Sequence, residues 1–164
     1  MLLRKRAWDI VREEYPTLQE NDSLSVAVRK LNSCVGHACG CLCALVFDDE
    51  GHLKGSISIW DTMRFMEDKL TQRSAMRGGE DGYDRVFHNA CKLAGSTKVR
   101  DLMDREMTTL SPDDSLITIL DKVVKKGRSY AVVKDASKVI GVIMISDIFN
   151  EISTDMLRME GKKA

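Results

Sequence analysis

The sequence predicts a mixed α/β (α+β) protein made of two copies of one unit, each reading helix, strand, strand, helix. Three observations carry this. First, the chain repeats itself: residues 7–31, "AWDIVREEYPTLQENDSLSVAVRKL", align without a gap on residues 99–123, "VRDLMDREMTTLSPDDSLITILDKV". Asp9, Glu14, Thr17, Leu18, Asp22, Ser23, Leu24 and Lys30 recur as Asp101, Glu106, Thr109, Leu110, Asp114, Ser115, Leu116 and Lys122. Second, "HLKGSISIWDTM" matches "KVIGVIMISDIF", so that Gly55, Ile57, Ile59 and Asp61 meet Gly141, Ile143, Ile145 and Asp147. Third, the spacing of apolar residues alternates between helical and strand-like in the same order in both copies.

Taken in order, each unit opens with a short extended piece, "PTL" or "TTL". Asp22 and Asp114 follow as N-cap candidates, because a short side-chain oxygen can accept from the free amides of a first helical turn. Behind them Leu24, Ala27, Val28 and Leu31, and in the second copy Leu116, Ile119, Leu120 and Val123, fall on one helical face. Two apolar runs come next, "CLCALVF" and "LKGSISI" in one copy, "SYAVV" and "VIGVIMI" in the other. The polar bridges "DDEGH" and "KDAS" make each pair a hairpin. A second helix starts at Asp61 and at Asp147, with Met63, Met66 and Leu70, or Ile148, Phe149, Ile152 and Met156, as its apolar positions. The expected layout is a first unit over 1–70, a connecting arm with a helix over 71–98, a second unit over 99–158 and a tail over 159–164. Arg73 and Arg77 lie among the arm's glycines, where a solvated linker is the simpler reading than a phosphate site.

Composition narrows the function classes. Lys plus Arg equals Asp plus Glu, 25 each, so no global field recruits nucleic acid or an anionic membrane. No stretch approaches the ~18 apolar residues of a membrane span, and the opening "MLLRKRAWDIVREE" has no apolar run fit for a signal peptide. Five cysteines, an odd number, read as thiols in a reducing compartment. The expectation is a soluble cytoplasmic protein. There is no nucleophile with a base, no phosphate-loop motif and no strong metal cluster, so the reading is not of an enzyme.

The repeats resemble CBS domains, and the chain resembles a stand-alone tandem CBS pair, a Bateman module, over about residues 7–70 and 99–157. The resemblance rests on "VRDLM" entering the unit, "TLSPDDSL" before the first helix and "GVIMISDI" at the end. It implies two repeats packed about a pseudo-twofold axis, sheet against sheet, and a homodimer. It also implies a regulatory module binding AMP, ADP, ATP or S-adenosylmethionine in the clefts between repeats, with no required cofactor and an effector protein as partner. A cysteine-based metal or redox sensor on the same scaffold, and a ligand-free dimerisation scaffold, are the alternatives.

The family's ligand motif is a glycine, an apolar pair, Ser or Thr, two residues and Asp. In "GSISIWD" the first repeat keeps Gly55, Ser58 and Asp61. A carboxylate is acceptor-only, so Asp61 suits a ribose diol, and Ser58 can reach sugar or phosphate beside a helix start that favours anions. Thr17 matches a family position bordering the adenine, with Thr109 as its counterpart, and Val46 and Ile57 are the candidate apolar slot for the base. "GVIMISD" keeps Gly141 and Asp147 but puts Met144 in the hydroxyl position, with Ser146 beside Asp147 as a substitute. At the start of the first hairpin strand the family often carries a cation. Arg128, followed by Ser129, is that residue in the second repeat, whereas the first repeat has Cys41 and Leu42. A Ser and an Asp at a helix start also serve simply as caps.

Four cysteines fall in "LNSCVGHACGCLCALV", residues 31–46. Twelve residues separate Leu31 from Ala44 where seven separate Val123 from Ala131, a five-residue insertion before the first hairpin strand. Alternate residues on a strand face lie about 6.6 to 6.8 Å apart, whereas two thiolates on a zinc at ~2.3 Å must come within about 4 Å. Only a loop curled at Gly36 and Gly40 would bring Cys34, His37, Cys39 and Cys41 to one ion, so cysteine as a small buried hydrophobe is the preferred reading. Cys91 reads as packing, and His52 and His88 as surface residues.

Overall fold

The protein is described by a computed structural model over residues 4–34, 41–71 and 79–162. Two three-stranded sheets form on the apolar runs. In the first, β1 (Thr17–Gln19) pairs parallel to β2 (Cys43–Phe47), which pairs antiparallel to β3 (Leu53–Ser58); α1 (Ala7–Ile10) precedes them. Around this sheet lie α2 (Leu24–Cys34), α3 (Ile59–Leu70) and α4 (Gly79–Ser96). The second sheet repeats the order with β4 (Thr109–Leu110), β5 (Tyr130–Asp135) and β6 (Lys138–Met144). Its helices are α5 (Leu116–Ile119), which runs on as one π-helical stretch at Leu120–Val124, and α6 (Ile145–Gly161). The hairpins and extended pieces thus form where the apolar runs place them. Even the irregularities coincide, with register shifts at Val46/Phe47 and at Val133/Lys134.

The compact units do not follow chain order. One comprises Pro16–Arg105, the other Met1–Tyr15 with Glu106–Ala164. Each sheet is therefore approached by the segment that in sequence opens the other repeat. Ala7 N–H donates to the Asp114 carbonyl (2.9 Å) and Trp8 N–H to that of Pro112 (2.9 Å). In the other unit Val99 and Arg100 donate to Asp22 (2.8 Å) and Glu20 (3.1 Å). Arg12 then exchanges both backbone bonds with Val142, as Asp104 does with Ser56. This crossing explains the shared glycines. A Cβ on Gly55 would lie 2.8 Å from the Asp104 carbonyl oxygen, and one on Gly141 would collide with that of Arg12. The glycine of the motif makes room for backbone.

Each unit has its own core. Leu18, Leu24, Leu31, Val46, Ile57 and Phe65 belong to the first, Ile10, Leu110, Ile119, Val133, Ile143 and Ile148 to the second. The arm helix is longer than the sequence suggests and packs on α2 and α3 within the first unit. It does so through residues such as Ala90 and Ala94, which leaves Cys91 exposed instead of packed. His88 and His52 are exposed, as expected.

Two helix starts differ from expectation. The caps are Ser23, accepting from Val26 N–H (3.3 Å), and Ser115, accepting from Thr118 N–H (3.3 Å). Asp22 and Asp114 instead close the preceding turn by accepting from Gln19 and Ser111 amides. Likewise α3 and α6 begin two residues ahead of Asp61 and Asp147, each of which occupies the third helical position.

Candidate functional site

The sheet register decides which predicted residues share a face. Thr17 lies beside Leu45, which faces Ser56; one row along, Cys43 faces Ser58. Since cross-strand partners point the same way, Thr17, Leu45, Ser56 and Ser58 share one face of the first sheet. Ala44, Val46 and Ile57 point to the other, where they pack with Leu18 and Leu24. Val46 and Ile57 point into that core, away from the face that carries Thr17 and Ser58, which corrects their assignment as the apolar slot. Leu45 is the strand residue in line with Thr17. In the second sheet Thr109, Val132 and Val142 form the matching row, and Tyr130 faces Met144. Both threonines are exposed at the sheet edge.

At the start of α3, Asp61 Oδ2 accepts from the Ser58 amide (2.7 Å) and the Ser58 hydroxyl (3.0 Å). Its Oδ1 receives Arg64 Nη2 at 3.0 Å. The Asp61 side chain is 11% exposed and that of Arg64 72%, so this pair is held weakly against water. The carboxylate is thus oriented through one oxygen, while the other meets a surface cation. Arg64 was not singled out in the sequence. Its signal was the Asp-x-x-Arg spacing, which brings i and i+3 together on a helix.

Asp147 occupies the same place in α6, with a side chain 12% exposed. The Met144 amide donates to its Oδ2 (2.9 Å). Its remaining partner is Arg12, whose Nε lies 2.9 Å from Oδ1 and 2.8 Å from Oδ2, with Nη2 2.6 Å from Oδ1. This planar, charge-assisted fork is the stronger kind of carboxylate contact. Arg12 is the second residue that sequence reading missed. It lies 135 positions from its partner, and no local spacing announces it.

The remaining candidates are dispersed around these helix starts. Ser129 is half-buried, and its carbonyl accepts from Ile145 N–H (2.8 Å), as that of Leu42 accepts from Ile59 N–H (3.0 Å). Arg128 and Ser146 are exposed, Arg128 following Gly127, whose φ of 66° lies in the turn after the π-helical stretch. Of the sulfur cluster, Cys34 is half-buried at the end of α2, and Cys41 is buried just ahead of β2, not in the strand. His37 and Cys39 lie outside the described residues, as do Arg73 and Arg77. Among the described residues no three of His, Cys, Asp and Glu converge as a metal ion would need, and no helix is long and apolar enough to cross a membrane.

The family model for the CBS domain matches residues 7–68 and 99–154, more than half of the chain. This chain belongs to the CBS domain family. The tandem CBS pair aligns with solved CBS proteins over almost its full length. A putative acetoin utilization protein (AcuB) from Vibrio cholerae superposes with a TM-score of 0.67 at 17% identity, covering 98% of both chains. A CBS domain-containing protein of unknown function from Bacillus anthracis gives 0.67 and 17%, covering 93% of this chain and 96% of that one. The cytosolic domain of the Mg2+ channel MgtE, solved in complex with ATP, gives 0.62 and 15%, covering 90% of this chain but 48% of that one. No curated protein matches the chain. At such identities these likenesses establish the fold.

Proposed function

We propose that this tandem CBS pair is a regulatory, non-catalytic sensor of an adenosine-containing ligand (AMP, ADP, ATP or S-adenosylmethionine), and that Asp61 of the first repeat accepts the ribose hydroxyls. The observation that carries this is the state of the Asp61 carboxylate: Ser58 fixes one oxygen, and the other is opposed by Arg64 at the surface. An exposed ion pair of this kind costs little to open. The amides at the start of α3 favour a phosphate close by, and Arg64 supplies a cation in the repeat that lacks one at Cys41. Thr17, exposed on the Ser58 face, would border the base. Ser129, Ser146 and Arg128 are the corresponding groups near Asp147. The ATP complex of the MgtE cytosolic domain, a relative in fold, supports nucleotide as the ligand class.

A homodimer that passes its ligand state to an effector protein is part of the same proposal. Met63 of α3 and Phe149 of α6, which match between the repeats, are both exposed and offer apolar surface of the kind that association covers.

The test is thermal unfolding with AMP, ADP, ATP and S-adenosylmethionine at millimolar concentration. A ligand at ten times its Kd adds roughly 1.4 kcal/mol, which raises Tm by roughly 3–6 °C in a protein of this size. Asp61→Ala is expected to remove that rise. Absence of a shift with all four ligands refutes nucleotide sensing.

A further inference from the structure

The two repeats carry the same carboxylate at the same helical position, yet the chain has already filled one of them. Asp147 has room for about four acceptor contacts, and three N–H groups already occupy both of its oxygens: Arg12 Nε, shared between Oδ1 at 2.9 Å and Oδ2 at 2.8 Å, Arg12 Nη2 at 2.6 Å from Oδ1, and the Met144 amide on Oδ2. From these distances we infer that Arg12 is an internal occupant of the second repeat's sugar-binding carboxylate, so that the module takes one nucleotide per chain, at Asp61. The inference rests on the nucleotide reading above.

The asymmetry is built by the crossing segments. Arg12 and Asp104 hold equivalent positions, each exchanging backbone bonds with the middle of a hairpin strand, Val142 for one and Ser56 for the other. At that point one repeat receives a guanidinium and the other an acid. A ribose diol arriving at Asp147 would offer two neutral donors in exchange for a bidentate cation. It would also have to pull the carboxylate away from a guanidinium whose side chain is only 25% exposed. At Asp61 the diol displaces only Arg64, which is largely in water already.

The experiment is calorimetric titration of the full chain with ATP. Wild type is expected to bind one ATP per chain, and Asp61→Ala none. Arg12→Gln is expected to bind two, and Arg12→Gln combined with Asp147→Ala to return to one. A gain on losing a cation runs against simple attraction of ATP to positive charge, which makes it specific to release of Asp147. Should Arg12→Gln not fold by circular dichroism, Arg12→Lys keeps the charge without the planar fork. It is then expected to bind a second ATP where wild type binds one.

The inference is overturned if wild type binds two ATP and Asp147→Ala removes one, or if neither Arg12 variant gains a site; in the first case nucleotide sensing survives. Should wild type bind none while Arg12→Gln binds one that Asp147→Ala removes, the blocking role of Arg12 stands and the reading of Asp61 falls. No binding by any variant overturns both.

Discussion

Asp61 and Asp147 match in motif spacing, helical position and exposure, 11% against 12%. They differ in what holds them. Asp61 is positioned by its own repeat, through Ser58, and opposed by a neighbour one turn along the helix. Asp147 is clamped by a residue from the other end of the sequence. A short motif thus specifies where a carboxylate sits, while the crossing segment, which the motif does not contain, specifies whether it is open. Met144 in the hydroxyl position belongs with this: where the Ser58 hydroxyl donates to Asp61, the Arg12 guanidinium donates to Asp147.

The largest expected effect comes from the glycines that admit the crossing segments. Gly141→Ala drives a Cβ into the Arg12 backbone, whereas at Gly55 part of the crowding is the flexible Met103 side chain. Overpacking of this kind typically costs about 1–3 kcal/mol, with Gly141→Ala at or above the upper end and Gly55→Ala near the lower, measured by urea unfolding. Equal losses would mean that the two crossings are equally tight.

A smaller effect separates the hairpin turns. The first places Gly51 at φ 85°, whereas the second places Ala136 at φ 53°. An L residue in the left-handed region costs about 1–2 kcal/mol, of which the added chain entropy of glycine takes back about 0.5–1. Ala136→Gly is therefore expected to stabilise by about 0.5–1 kcal/mol, and Gly51→Ala to destabilise by a similar amount. A loss on Ala136→Gly would show that this turn is not strained.

Much of the fold was legible because its signals are local. Apolar runs bounded by "DDEGH" and "KDAS" specify hairpins, and the repeat itself doubles each signal. The helix caps were displaced by one residue because Asp22–Ser23 and Asp114–Ser115 pair two residues equally able to cap. Val46 and Ile57 read as the apolar slot because the unbroken apolar run "CLCALVF" has no alternation to tell one sheet face from the other. Cys91 was misplaced because small alanines, not the larger residues of α4, make its contact face. Of the site, Ser58 and Asp61 were readable from spacing. The Arg12–Asp147 pair was not, since it depends on which hairpin the N-terminal segment approaches.

The most direct test of the account is an experimental structure with ATP bound. It should show the ribose hydroxyls donating to Asp61, Arg64 turned away from that carboxylate, and Arg12 still paired with Asp147. Nucleotide on Asp147 with Arg12 displaced, and none at Asp61, would contradict it.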